Sequence, residues 1–535
     1  MSPAPTPATP DPARPIAFVG GRVCSMDPRC AEPEVVVVEA GRIAAAGERA
    51  FLDAWPHAQR VELAGRWLLP GFIDAHNHLS IAALHPLWAD LSRVRSPEEL
   101  RAALAEQARR EPGAEWIRGF GWNETRTGYT PTRPDLDALG FERPVFLAHY
   151  TLHQGVVCSR GLDALGIGRS APDPPGGEVA RGPDGAPTGL LRERAYSEAQ
   201  GRSLLAYREP GRWGELVAAR ARALLGDGIT AVHDAACPPE AEALYAELAR
   251  SRRLPLSVLA LPHPAALLSR LDPRRLGGPK SGEGDARVRT GAVKLFADGG
   301  VAPALDVHVG GHPVVMGQCL PGLREDALRA AAHGYRIAIH AIGNAGVDAA
   351  LDAFEAVARA HPSRDPRFRL EHASLVAPAQ IRRMRELGVV GVVQPGFLHH
   401  MGEAVEKVPF EGASWMAFAS LAQAGVPLAA SSDDPCAFHE PLLTSARGTT
   451  RITGSGRVFD PAQSLPYLDW LRAYTAGAAF AGAQEHERGR IAPGLQADLV
   501  VLEGELDAAQ PPRVVETWVA GALAWSGVAE RAQNR

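Results

Sequence analysis

The sequence lacks any uninterrupted apolar run near the roughly 18 residues that a membrane-spanning helix needs, although hydrophobic residues fill 46% of its 535 positions. It has no excess of one charge either. Fifty-six Lys and Arg stand against 61 Asp and Glu, a formal net charge of -5, so no overall basic field draws the chain to nucleic acid or to an acidic membrane. Cysteine is scarce and unpaired in pattern: Cys24, Cys30, Cys158, Cys237, Cys319 and Cys436 form no C-x-x-C motif. That excludes a disulfide framework and a cysteine-built zinc site, and it fits a reducing compartment. The first 14 residues, MSPAPTPATPDPAR, lack the basic start and apolar stretch of a signal peptide and read as a frayed tail. These absences predict a cytoplasmic protein whose partner is a small-molecule substrate, with no nucleic acid, no membrane, and a homodimer left open.

The length exceeds one ordinary core, and two to a few domains are expected. Short β-type runs with Gly between them, IAFVGGRV, VVVVEAGRIAAAG and RVELAGRWLLP, open the chain, and ADLVVLEG and VVETWVAGALAW close it. The two ends, 15–69 and 486–528, are therefore expected to build one small β-sandwich domain. Between them, residues 70–485 alternate amphipathic helices with apolar strands, the pattern of a parallel α/β sheet and here of a TIM-like (β/α)8 barrel. Ser96-Pro97-Glu98-Glu99 is a helix start. Trp213, Leu216, Val217, Ala221 and Leu224 repeat at helical spacing ahead of the strand ITAVHD. Residues 113–189, rich in Pro, Gly and Asp, read as an insertion with its own local structure, placed to cover an active site.

The sharpest feature is PGFIDAHNH, residues 70–78. Alternate side chains of a strand share a face, so His76 and His78 can point together toward a metal. Alone, such a pair is a weak signal. Four more strands add to it: His340 closes RIAIH, His372 closes RLEH, Asp433 follows PLAASS, and Lys294 lies in AVKLF. Each has an ordinary explanation as a bonded core histidine, a helix cap or a cation paired with Asp298. Together they supply the imidazole and carboxylate ligands zinc prefers, near the carboxyl ends of predicted strands, where barrel enzymes place their chemistry.

With these residues in order, the sequence resembles the amidohydrolase superfamily, and within it amidohydrolase family 3, the group that includes N-substituted formamide deformylases. PGFIDAHNH resembles the first-strand metal motif, GAVKLFADGG the lysine strand, IHAIGN and RLEH the single-histidine strands, and SSDDP the final aspartate strand. The resemblance continues into YTAGAAFAGAQEHERGRIAPGLQADLVVLEG and covers nearly the whole chain. It implies that His76, His78, His340 and His372 are metal ligands, and that Asp433 is both ligand and catalytic acid/base. Lys294 matches a lysine that many relatives convert to a carbamate bridging two metals. One ion or two stays open, with zinc the leading candidate. Trp122 and His153 are assigned to substrate binding, with Asn123 and Tyr129 nearby in sequence. Two departures stand out: Cys158 replaces the usual Asn of its segment, and Asp434 stands where relatives often carry an aromatic, leaving it substrate-facing or structural. His233 and Asp234 are expected to orient a neighbour.

The implied reaction is hydrolysis of a non-peptide C–N bond in an amide, formamide or cyclic amide. Metal-activated hydroxide attacks the carbon, and Asp433 moves the proton to the leaving nitrogen. Alternatives are a metal-dependent lactonase or phosphoesterase, which would use the same hydroxide, and a non-catalytic barrel scaffold. A glycosidase needs two opposed carboxylates, which this mainly histidine set does not supply.

Overall fold

The computed structural model describes residues 14–263, 268–362, 365–406 and 410–527. The expected tail thus lies, except for Arg14, outside the described residues. At the two chain ends the alternating apolar runs pair into two sheets. Ile16–Val19, Val35–Glu39, Arg42–Gly47 and Gln59–Glu62 form one. Arg22–Val23 and Trp67–Pro70 join Leu499–Glu503, Arg513–Val519 and Ala522–Ser526 in the other, so a single sheet takes strands from both ends. Leu68 stands opposite Val501 and Leu69 opposite Val500 in an antiparallel ladder.

Strand alternation explains why LVVLE is apolar throughout. Leu499 and Val501 pack with Ile16, Phe18, Val36, Val38 and Trp518 in a cluster between the two terminal sheets. Val500 and Leu502 turn the other way, into the main core.

The middle of the chain contributes two wholly parallel sheets. In one, Phe72–Asn77 pairs with Ile229–Cys237, then Ser257–Pro262 and Val288–Thr290. In the other the order is Val293–Phe296, Ile337–Ala341, Arg369–His372, Val390–Val393 and Leu428–Ala430. Helices such as Pro210–Leu225, Leu323–Ala332, Asn344–Ala360 and Pro378–Glu386 each precede a strand. Burial on both faces gives these strands their continuous apolar character. The first strand of one sheet meets the end of the last strand of the other: Asp433 N–H donates to His76 O (2.8 Å) and His78 N–H to Asp434 O (2.9 Å). Among the described residues no helix is long and apolar enough to cross a membrane.

Residues 89–193 build a further six-stranded sheet, in the order Gly177–Arg181, Pro187–Glu193, Gln154–Val157, Val145–His149, Ile117–Trp122 and Ala89–Asp90. It therefore begins before residue 113, and its Pro and Gly residues fall largely in the turns. The helix Pro97–Arg110 packs Leu100 and Leu104 onto Ile117, Val145 and Leu147. Ser96 Oγ accepts from Glu99 N–H, while the Glu99 carboxylate reaches back one residue further, to Arg95 N–H (2.7 Å).

Candidate metal centre

The end of the Phe72–Asn77 strand brings His76 and His78 to one carboxylate. His78 Nε2 is 3.0 Å and His76 Nε2 3.4 Å from Asp433 Oδ1. One candidate ligand atom from each of the three lies within 4.8 Å of the others. The imidazoles then continue as a row. Ring centroids are 5.3 Å apart for His78 and His76, 4.8 Å for His76 and His372, and 4.5 Å for His372 and His340. Lys294 is buried beside them, with Nζ 4.4 Å from the centre of the Phe296 ring. All six residues named from the strand ends therefore gather in one place.

Three of the four rings are held at Nδ1. His76 Nδ1 lies 2.6 Å from Glu371 Oε2, His78 Nδ1 2.9 Å from Ala235 O, and His372 Nδ1 2.9 Å from Gln394 Oε1. Such contacts set the tautomer of metal-binding histidines and leave Nε2 for the ion. His340 Nε2 is buried without a hydrogen bond and lies 4.0 Å from Asp298 Oδ1. A buried ring nitrogen in that state is costly unless another group completes it. This orphaned atom and the mixed imidazole and carboxylate donors fit a divalent ion of the zinc type.

The supports run deeper. Glu371 is clamped by Arg369 Nε (2.8 Å), which also donates from its terminal nitrogens to Ala75 O and to His233 Nδ1. Thus His233 acts on His76 through two intermediaries. Asp74 accepts from Asn77 Nδ2 and Ser432 N–H (both 2.9 Å) and from Ser432 Oγ, joining the first and last parallel strands.

Electrostatics keep most of the row neutral, the state in which imidazole binds metal. Burial, aided by the Lys294 cation, lowers His76 to about 4, and burial lowers His372 to about 3. Burial and the neighbouring cations push His340 well below the usual value. For His78 burial acts downward, but the Asp433 carboxylate outweighs it and raises the ring. Burial would raise Asp433, yet the hydrogen bond from His78 and the surrounding imidazoles hold it well below the carboxylate range. Burial brings Lys294 down to about 8. His372 (φ +72°) and Asp433 (φ +59°) also adopt left-handed backbone, a strain that side-chain patterning does not reveal.

The remaining candidates divide. The His153 ring lies 5.4 Å from that of His340. Trp122 is buried in the six-stranded sheet with its ring 4.4 Å from that of His149. Asn123 caps a short helix and Tyr129 bonds Asp135. Asp434 turns to Arg220, 2.7 Å away, and Asp234 accepts from Tyr245. Cys158 caps the helix Ser159–Leu165 through Sγ. Sequence reasoning missed Glu371 and Gln394. The period of two in RLEH, which sets Arg369 and Glu371 on one face, was the available signal for the first.

A model of the amidohydrolase family matches residues 59–524. The chain is 31% identical to an N-substituted formamide deformylase of Arthrobacter pascens over 543 aligned positions, covering 95% of this chain and 98% of that one. It also resembles two solved structures of uncharacterized metal-dependent hydrolases. That from Pyrococcus furiosus shows 26% identity and a TM-score of 0.69, with 92% of this chain and 99% of that chain covered. The other, from Pyrococcus horikoshii OT3, shows 25% identity and a TM-score of 0.72, with 92% and 98% covered.

Proposed function

Because the chain belongs to the amidohydrolase family, we propose that it hydrolyses a non-peptide C–N bond in a small amide, formamide or cyclic amide, using a divalent metal at the row of histidines. The observation that carries this reading is the nitrogen accounting: three rings are pinned at Nδ1, and a fourth, His340, has a buried nitrogen that only a further group would complete. In this reading the two parallel sheets are the wall of one TIM-like barrel over 70–485, with an insertion at about 113–189 that supplies most of the six-stranded sheet, and the chain ends forming a β-sandwich beside it. N-substituted formamides, named for the Arthrobacter pascens relative, are the first substrates to test. The free cysteines suit the cytoplasm.

His76, His78, His340, His372 and Asp433 would hold the metal, and Lys294 would join them if carbamylated. Its buried amine, at about 8, keeps a neutral fraction near physiological pH for that reaction. Zinc, as one ion or two, would supply an acidified water and polarise the carbonyl oxygen. Asp433 Oδ1, facing His76 and His78, takes the water's proton and carries it to the leaving nitrogen. The products are an acid and an amine, or ammonia. The test is Asp433→Asn: metal content stays measurable while turnover falls by about 10²–10⁴, and near-normal turnover would refute the role.

A further inference from the structure

One helix face ties the metal centre to an ion pair that the centre itself does not use. In the helix Pro210–Leu225, Trp213, Leu216, Val217 and Arg220 recur at the i, i+3, i+4 and i+7 spacing of a single face. Trp213 docks that face two residues past His78, its Nε1–H donating to Ser80 O at 2.9 Å. Two turns further on, Arg220 donates to Asp434 Oδ2 at 2.7 Å. His439 Nδ1 lies 3.2 Å from the same guanidinium nitrogen, and its Nε2 lies 3.2 Å from Asp227 Oδ2. The helix thus grips the chain at Asp434, the position where the family often carries an aromatic.

Asp434 is bound through amide, carbonyl and carboxylate alike. Its N–H donates to Ser432 Oγ (2.8 Å), its carbonyl accepts from His78 N–H (2.9 Å), and its carboxylate takes Arg220. Ser432 Oγ donates onward to Asp74, and Asp433 N–H donates to His76 O at 2.8 Å. Within this stitching Asp433 adopts left-handed backbone (φ +59°), a strain that persists where the surroundings over-determine it. The two consecutive carboxylates then part company: Asp433 meets His76 and His78, while Asp434 meets the helix.

Charge makes the grip necessary. Asp434 is 5% exposed, and a carboxylate buried to that extent is costly once its partner is removed. Arg220 is the cation that compensates it. Its loss would leave a second, unpaired carboxylate beside Asp433, and the turn would relax to hydrate it. The Arg220 side chain keeps 23% exposure and lines a cavity of about 350 Å³ with Ala82, Ala83, Leu216, Ala219 and Ala223. Small solutes can therefore reach the guanidinium position.

We propose that Arg220 is a positioning residue of the metal centre: its hold on the Asp434 carboxylate fixes the turn that presents Asp433 and His78 to the ion. This rests on the metal-dependent part of the C–N hydrolysis reading and adds to it a residue outside the row of histidines.

The experiment measures zinc affinity of the full-length protein by competition with a chromogenic chelator, and the absorption spectrum of its cobalt(II) form. Arg220→Ala weakens zinc binding about tenfold or more and shifts the cobalt spectrum. Methylguanidine, taken up where the side chain was removed, restores both, and Arg220→Lys restores part. Arg212→Ala breaks a different ion pair of the same helix, with Glu111 at 2.6 and 2.8 Å, and keeps the wild-type affinity and spectrum. Arg220→Met/Asp434→Leu buries neither charge alone, so it folds with a near-normal urea midpoint and still binds zinc more weakly. The inference falls if Arg220→Ala or the double variant keeps the wild-type affinity and spectrum, or if Arg212→Ala weakens zinc binding as much. A zinc-loaded wild type that hydrolyses no amide overturns the C–N reading and leaves this inference standing; a wild type that binds no divalent ion overturns both.

Discussion

His149 and His153 in the six-stranded sheet and its turns and His76 and His340 at the ends of the parallel strands are all largely buried, but they account for their nitrogens differently. His149 spends both: Nδ1 meets Thr151 Oγ1 at 2.8 Å and Nε2 meets Glu124 Oε2 at 3.1 Å. His76 binds Glu371 through Nδ1 and turns Nε2 toward Asp433, while His340 Nε2 is buried with no hydrogen bond. Burial alone therefore does not separate a structural histidine from a ligand, and neither does an unspent nitrogen by itself, since His85 Nε2 and His233 Nε2 are buried without a hydrogen bond as well; what marks the strand-end rings is that they stand together around Asp433.

The largest effect expected from this contrast is all or none. His76→Ala/His78→Ala should lower metal to background by elemental analysis and abolish hydrolysis, whereas His149→Ala should keep the metal. A metal-free His149→Ala protein would break the distinction. Chelation sharpens it, because an ion bound only by the folded state adds about 2.7 kcal/mol when present at 100 times its Kd. A chelator should thus lower the melting temperature of wild type and leave that of the double variant unmoved.

Next in size is the core of the six-stranded sheet. Trp122→Ala should cost about 3–5 kcal/mol of stability, as for a large buried side chain, with metal content retained; urea unfolding measures it. Unchanged stability with a raised KM would put Trp122 in contact with substrate instead. Glu371→Gln acts at the strand ends and should weaken metal binding about 10- to 100-fold, read by competition with a chromogenic chelator. The fold should persist, since Arg369 keeps its bonds to Ala75 O and His233.

The two regions also differ in how far they were legible in the sequence. His76, His78, His340, His372, Lys294 and Asp433 stood out because metal chemistry restricts residue type and strand alternation restricts spacing. Their supports did not. Glu371 faces His76 across 295 positions and Gln394 faces His372 from the next strand, contacts that depend on sheet order. The strands of residues 89–193 were obscured because the Gly and Pro of their turns dominate the local pattern. Their mixed pairing, with Gln154–Val157 between Val145–His149 and Pro187–Glu193, is set by nonlocal ladders. The contact of His153 Nδ1 with Glu193 Oε2, at 2.7 Å, is a product of that pairing and was hidden with it.

Cys158 sharpens the comparison with the smallest effect, because it departs from the family pattern without touching the row of histidines. Its Sγ accepts from Val145 N–H at 3.1 Å and Gly161 N–H at 3.3 Å, tying the cap of a helix to the neighbouring strand. An Asn side chain at this position would offer an oxygen for the same duty, so the exchange preserves the role while changing the atom. Cys158→Ala should then cost about 0.5–2 kcal/mol, and Cys158→Asn should recover it, both read by thermal unfolding with KM constant. A change in KM without a change in stability would mean that this end of the six-stranded sheet reaches the substrate, and the boundary between scaffold and site would have to be drawn closer to the helix.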